Sequence, residues 1–86
     1  MKIIYEKSYI KSLKKLTAIQ LNRVDKALLA FEEDPFSEKL HNHALHGRLR
    51  GHRAISAGFD LRIIFIELKG YLIVSMVSVG THNQVY

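Results

Sequence analysis

Apolar and polar positions follow two different periods along this chain. Lys2 to Glu6 reads K-I-I-Y-E, a short β-type start. Ser8 then opens a basic helix whose apolar positions include Tyr9, Leu13 and Leu16. Thr17 has the chemistry of an N-cap, and Gln20 stands three positions later as its capping-box partner. The helix that follows is predicted to reach about Glu33. Its Leu21, Val24, Leu28 and Phe31 recur at spacings of three and four, which defines one buried stripe. Two antiparallel helices meeting at Thr17 make an α-hairpin. Glu32, Glu33 and Asp34 end the second helix against its macrodipole, and Pro35 blocks continuation. Residues 35 to 51 are polar and loop-like. Beyond them the period shortens to two. His52 to Ala57, Phe59 to Leu68 and Tyr71 to Val79 are predicted strands, separated by a turn or bulge at Gly58 and a tight turn at Lys69-Gly70. Such short connections favour an antiparallel meander. The expected fold class is α+β, in the order β-α-α-β-β-β, with the α-hairpin packed on a small, mainly antiparallel sheet.

The 86 residues form one domain, 1–86, with a single core. With 48% hydrophobic residues and a mean hydropathy of -0.01, the chain reads as an ordinary globule. It has no cysteine, no secretory leader pattern and no apolar run near the roughly 20 residues needed to span a bilayer. The expected location is therefore the cytoplasm, with no membrane association. A net charge of +5 favours an anionic partner, nucleic acid before an acidic protein or a membrane surface. The cations divide by type. Lysines dominate residues 1 to 40, interspersed with acids as on a solvated helix surface. Residues 41 to 86 carry Arg48, Arg50, Arg53 and Arg62, and His41, His43, His46, His52 and His82 lie there too. Guanidinium gives a planar fork for phosphate, and free imidazole titrates near pH ~6.5.

Arg53 alternates with His52 along one strand, while Asp60 and Arg62 share a face of the next. The two arginines converge on one phosphate only if their faces coincide; otherwise they are solubilising charges on a sheet face. His82 directly follows Gly80-Thr81 at a strand end, a place where loop residues often carry function. Tyr86 has the chemistry to stack on a base or to fold back on the core. Asp60 has the chemistry to orient a histidine or to pair with Arg62. The spacing of His41, His43 and His46 is loosely metal-like, but without thiolates or nearby acids no metal or other cofactor is expected. No Gly-rich phosphate loop, Ser-His-Asp order or paired-carboxylate motif is present.

Three segments taken together resemble the RelE/ParE superfamily of bacterial toxins, in particular its YafQ-like branch. They are H-x-L-x-G-x-x-x-G-x-R from His43 to Arg53, G-F-D-L-R from Gly58 to Arg62, and S-V-G-T-H-N-Q-V-Y from Ser78 to Tyr86. The likeness covers the whole chain in element order and residues 43 to 86 in motif. It implies the toxin of a type II toxin–antitoxin system, a ribosome-dependent endoribonuclease that cuts mRNA in the 30S A site. In that reaction the RNA's 2′-hydroxyl attacks the adjacent phosphate. The implied partners are a cognate antitoxin, the ribosome and mRNA, with operator DNA reached only through the antitoxin. By position, the resemblance assigns catalytic parts to His82, His43, Asp60, Arg62 and Tyr86. Arg48, Arg50, Arg53, His46 and His52 become candidates for RNA and phosphate binding. Ser56 stands where YafQ-like toxins carry another histidine, and Ser78 where they carry an arginine. Two other readings remain open: a ParE-like gyrase inhibitor without ribonuclease activity, and a degenerate toxin that only binds its antitoxin.

Overall fold

The computed structural model describes all residues 1–86. Strand β1 (Lys2–Tyr5) is followed by helices α1 (Lys7–Leu13) and α2 (Ala18–Glu33). Thr17 caps α2: its hydroxyl accepts from the Gln20 amide at 3.2 Å, and its own amide donates to the Gln20 side chain at 2.9 Å. Two of the helix's free donors are thereby satisfied, so the chain turns where the capping pair predicts. The far end has its own device. The Asp34 carboxylate accepts from the Phe36 amide at 2.9 Å and turns the chain at Pro35. An acid that opposes the helix dipole thus has a local task in the turn.

The segment 35 to 51, expected to be loop, contains two 3₁₀ turns (Glu38–Leu40 and Gly47–Leu49) and a two-residue strand between them, β2 (His43–Ala44). Then come β3 (Arg53–Ser56), β4 (Leu61–Leu68), β5 (Ile73–Thr81) and a terminal helical turn, α3 (His82–Val85). The sheet order is β1-β5-β4-β3-β2. The last three long strands form the predicted antiparallel meander, and β2 adds antiparallel to its edge. β1 lies parallel to β5 on the other side. The sheet is therefore open and mixed, though mainly antiparallel. The turn before β5 is longer than Lys69-Gly70. Lys69, Gly70 and Tyr71 all adopt positive φ, and the Tyr71 amide is held by the Glu67 carboxylate at 3.0 Å.

Both helices cover one face of the sheet. α1 lies along β5 and α2 over β4, so each helix of the hairpin is held chiefly by the sheet. The stripe that α2 buries is Val24, Ala27 and Phe31, with Leu28 half-buried; Leu21 stays exposed. It meets Ile55, Ile63, Phe65, Met76 and Val79, which occupy the facing positions of three strands. Phe31 packs edge-on against Phe65 with centroids 5.0 Å apart.

Tyr9 of α1 is almost fully buried, and its hydroxyl has no partner. Burial, followed by the nearby Tyr5 and Asp25, pushes its pKa up to about 12. In the unfolded chain the phenol ionises near 10, so between about pH 10 and 12 the unfolded state loses this proton first. Stability should be unaffected below that window and should fall by about 2–3 kcal/mol as pH rises through it. Denaturant titrations of Tyr9→Phe should show equal or slightly higher stability at neutral pH and a much flatter alkaline decline. An unchanged alkaline slope would exclude Tyr9 as its source.

Candidate functional site

The strand register decides which polar residues meet. Directly opposed residues in an antiparallel pair share a face. One row crosses the sheet as His43, Ala54, Ile64 and Ser78, and the next as Ser56, Arg62 and Gly80. Both rows lie on the face away from α1 and α2. Arg53 belongs to the other face, between Ala44 and Phe65. Arg53 and Arg62 therefore do not converge.

Arg53 is instead part of a polar clamp. Its Nε donates to Asn42 Oδ1 at 2.9 Å, and its guanidinium lies 5.8 Å from the centre of the Phe36 ring. Asn42 uses its amide nitrogen as well, donating to the Pro35 carbonyl and to the Tyr71 hydroxyl, each at 3.0 Å. Sequence reasoning passed over Asn42. Its neighbours His41 and His43 were the only signal, and nothing in the sequence shows that one amide joins three separated segments. By fixing residue 42, the clamp also fixes the start of β2 and hence His43.

On the open face a cleft of about 350 Å³ is lined by His43, Leu45, His46, Arg48, Leu49, His82 and Tyr86. Three elements supply these groups. His43 comes from β2, and its Nδ1 lies 2.7 Å from the His41 carbonyl. A carbonyl only accepts, so in this bond Nδ1 holds the proton and Nε2 is left as the basic nitrogen. His46 immediately precedes the second 3₁₀ turn and Arg48 lies within it, and positive φ at Gly47 and Gly51 allows this segment to fold back. His82 and Tyr86 come from α3. Their rings meet edge-to-face with centroids 4.5 Å apart, and the Tyr86 amide donates to the His82 carbonyl at 3.0 Å. Arg48 donates to the main-chain oxygen of Tyr86 and so joins the loop to the helix.

The Tyr86 hydroxyl is buried without a hydrogen-bond partner. Burial raises its pKa, and Arg62 opposes that rise, so the guanidinium and the phenol act on each other. Arg62 is half-buried and donates to its own strand at the Leu61 carbonyl, 2.9 Å away. Asp60 is exposed in the bend before β4, outside the cleft lining. Arg50 is exposed at the end of the second 3₁₀ turn and also outside the lining. His52 is half-buried with its Nδ1 unpartnered, and it faces a different small cavity beside Arg53 and Glu67. The cleft thus gathers His43, His46, Arg48, His82 and Tyr86, with Arg62 beside Tyr86. It leaves out Arg50, His52, Arg53 and Asp60.

Gly80 is what lets α3 sit here. A Cβ at this position would lie 2.8 Å from Gln84 Oε1 and 3.1 Å from its Cβ. That oxygen accepts the Thr81 amide at 2.8 Å and anchors the first turn of α3.

An open mixed sheet with two helices on one face and a short terminal helix beside the meander is the architecture of RelE-like toxins. A family described as the bacterial toxin of type II toxin–antitoxin systems, YafQ, matches residues 1–86. The chain belongs to this YafQ family and is a toxin of a type II toxin–antitoxin system. Among solved structures it is similar to YafQ from E. coli strain BL21(DE3), at 16% identity and a TM-score of 0.82, covering 99% of this chain and 97% of that one. It is also similar to a YoeB/ParE toxin from Agrobacterium tumefaciens, at 13% identity and a TM-score of 0.76, covering 95% and 99%. YafQ in an E. coli DinJ–YafQ complex matches at 18% identity and a TM-score of 0.71, covering 99% and 97%. These structural likenesses concern the fold. No curated protein matches by sequence. No helix is long and apolar enough to cross a membrane.

Gly80→Ala should displace α3 while sparing the core, because the added methyl meets Gln84 and leaves the helix face of the sheet untouched. Hydrogen exchange should accelerate at residues 81–86 with little change in β4, and global stability should fall by about 1–2 kcal/mol. Protection at 81–86 equal to wild type would contradict the account of how α3 is seated.

Proposed function

We propose that this toxin is a ribosome-dependent endoribonuclease and that the cleft between β2, the second 3₁₀ turn and α3 is its active site. The observation that supports this reading best is the convergence of two histidines that line one cleft, His43 and His82, with Arg48 and Tyr86. These are the groups that transesterification of RNA needs. The 2′-oxygen attacks the adjacent phosphorus as a base takes its proton. The P–O5′ bond breaks, and the departing oxygen is protonated. A 2′,3′-cyclic phosphate and a 5′-hydroxyl result. In this reading His82 is the principal proton-transfer group, and His43, whose Nδ1 is engaged by the His41 carbonyl, is the second. Arg62 and Arg48 oppose the negative charge that builds on the phosphorane oxygens. Tyr86 orients His82 through the edge-to-face contact of their rings, while its own hydroxyl stays shut off from solvent. Asp60 lies outside the cleft and has no step in this chemistry, and Arg53 acts at a distance by holding Asn42 and the start of β2.

The two serines that stand in place of a histidine and an arginine flank this arrangement. Ser56 pairs across the ladder with Arg62, and Ser78 lies one row further, opposite Ile64. In this reading Arg62 is the guanidinium that the strand face supplies to the phosphate, and Arg48 of the loop is the other. In this reading the proton relay is shifted onto the β2 and loop histidines, His43 and His46.

Primer extension on a translated reporter message after brief induction tests the proposal. Wild type should produce in-frame cuts within codons. His82→Ala should reduce them by about 10²–10⁴-fold, the usual contribution of a proton-transfer group. Arg62→Ala should reduce them by about 10²–10³-fold. Growth arrest without cuts but with gyrase-dependent DNA breaks would favour the ParE-like alternative. Neither cuts nor arrest would mark a degenerate toxin.

The solved DinJ–YafQ complexes support the further proposal that this toxin is neutralised by a cognate antitoxin, through which alone it would reach operator DNA. The net charge of +5 suits an acidic antitoxin segment, and the helices and sheet edge offer the docking surface. Light scattering on the product of co-expression with the adjacent upstream gene should give a stable complex that suppresses cleavage. A toxin that elutes alone and stays active would count against that pairing.

A further inference from the structure

A second cationic cleft, of about 270 Å³, opens on the helix side of the sheet. Its walls are Arg23 and Lys26 of α2, Lys39 of the first 3₁₀ turn, and the chain leaving β3 at Ser56 and Gly58. Ala27 and Leu40 form an apolar floor, and no acid contributes to the lining. Arg23, Lys26 and Ala27 stand at i, i+3 and i+4, so the helix presents them together. The Arg23 stem runs directly against Gly58. A Cβ there would lie 2.9 Å from Arg23 Cδ, and the φ of +93° already favours glycine. The turn thus yields its own side-chain space to an arginine. Three like charges in one small concavity repel each other, and no acid lines it to offset that cost.

Beside Gly58 stands Phe59, 92% exposed. Scattered exposed aliphatic side chains are ordinary, but a phenylalanine held almost wholly in water at a turn tip is not explained by packing. Cations that track a backbone, with an aromatic ring next to them, make the combination by which single-stranded nucleic acid is held. A merely acidic peptide would pair with the cations and leave the ring unused. Ser56 also links the two regions, since it lines this cleft and is the cross-strand partner of Arg62.

We propose that the cleft formed by Arg23, Lys26, Lys39 and Gly58 binds the phosphate backbone of a single-stranded RNA, with an unpaired base stacked on Phe59. This rests on the RNA reading above and adds to it an anchoring site on the opposite side of β3 from the cleavage cleft. The probe is a labelled oligouridylate with 2′-O-methyl groups, which lacks the attacking hydroxyl, measured by fluorescence anisotropy over a range of salt concentrations. Replacing Arg23, Lys26 and Lys39 together by glutamine should flatten the logarithmic salt slope by about 2, since each single-strand phosphate contact contributes roughly 0.7. Phe59→Ala should weaken binding by about 5- to 150-fold with the slope retained, and Phe59→Trp should preserve it. All four side chains are exposed, so each variant should fold, and thermal melting checks that it does. Wild-type binding that these substitutions leave unaltered overturns the cleft; if in-frame cuts in cells persist, the cleavage reading stands without it. Retained RNA binding with loss of an acidic peptide in the glutamine variant reassigns the cleft to a protein partner and overturns the proposal as well. A wild type that binds no RNA at any salt overturns it directly.

Discussion

Strand β5 is the member on which the rest of the structure depends. It pairs with β4 along nearly its whole length, receives β1 in parallel on its other edge, and supports α1 through Ser8 and Ser12, whose hydroxyls meet main-chain groups of Val77 and Val79. Such a strand is fixed on both edges and one face. The five residues after it inherit that rigidity. Thr81 still pairs with Leu61, and His82 begins α3 immediately afterwards. A histidine at the end of an interior strand differs from one on a free tail: its backbone is set by the sheet, and only its side chain has to be oriented. The edge-to-face contact with Tyr86 and the reach of Arg48 to the Tyr86 main chain provide that orientation.

Local signals were the most readable. Thr17 and Gln20 announced the start of α2, because a capping box depends on residues three apart. The three long strands were visible because their apolar positions alternate over short distances. The α2 stripe was partly misassigned. Leu21 and Ala27 both fit a helical period, and the choice between them depends on where Leu40 of the first 3₁₀ turn and the strand residues beneath press against the helix, which periodicity does not contain. The short β2 strand was not readable at all. Two residues have no period, and His43–Ala44 is a strand only because β3 presents a free edge there and Asn42 pins the chain beside it.

The candidate site shows the same division. His43, His82, Arg62 and Tyr86 could be named from motif and chemistry, but their meeting depends on register. A slip of β3 by one residue against β4 would turn every β3 side chain to the other face. It would bring Arg53 to the open side, where Arg62 already lies. The two arginines are alike in sequence context, each next to apolar strand residues, and their different roles follow from the pairing of Arg53 with Phe65 and of Arg62 with Ser56. Asp60 is legible as an acid beside an arginine, yet the bend that releases the chain into β4 leaves it in solvent.

The arrangement also bears on why so small a protein keeps its cations apart. A guanidinium that shares a cleft with catalytic imidazoles stabilises negative charge there, but further cations in the same place would disfavour protonated histidine and weaken the acid half of the cycle. Nucleic-acid affinity grows with the number of phosphate contacts wherever they occur on the strand. The two demands are met together when the extra cations sit elsewhere on the path of the chain. Here Arg23, Lys26 and Lys39 lie on the helix side and Arg48 and Arg62 on the open side, separated by the sheet and joined at Ser56. In the proposed reading, affinity rises through the first group without altering the proton chemistry of the second.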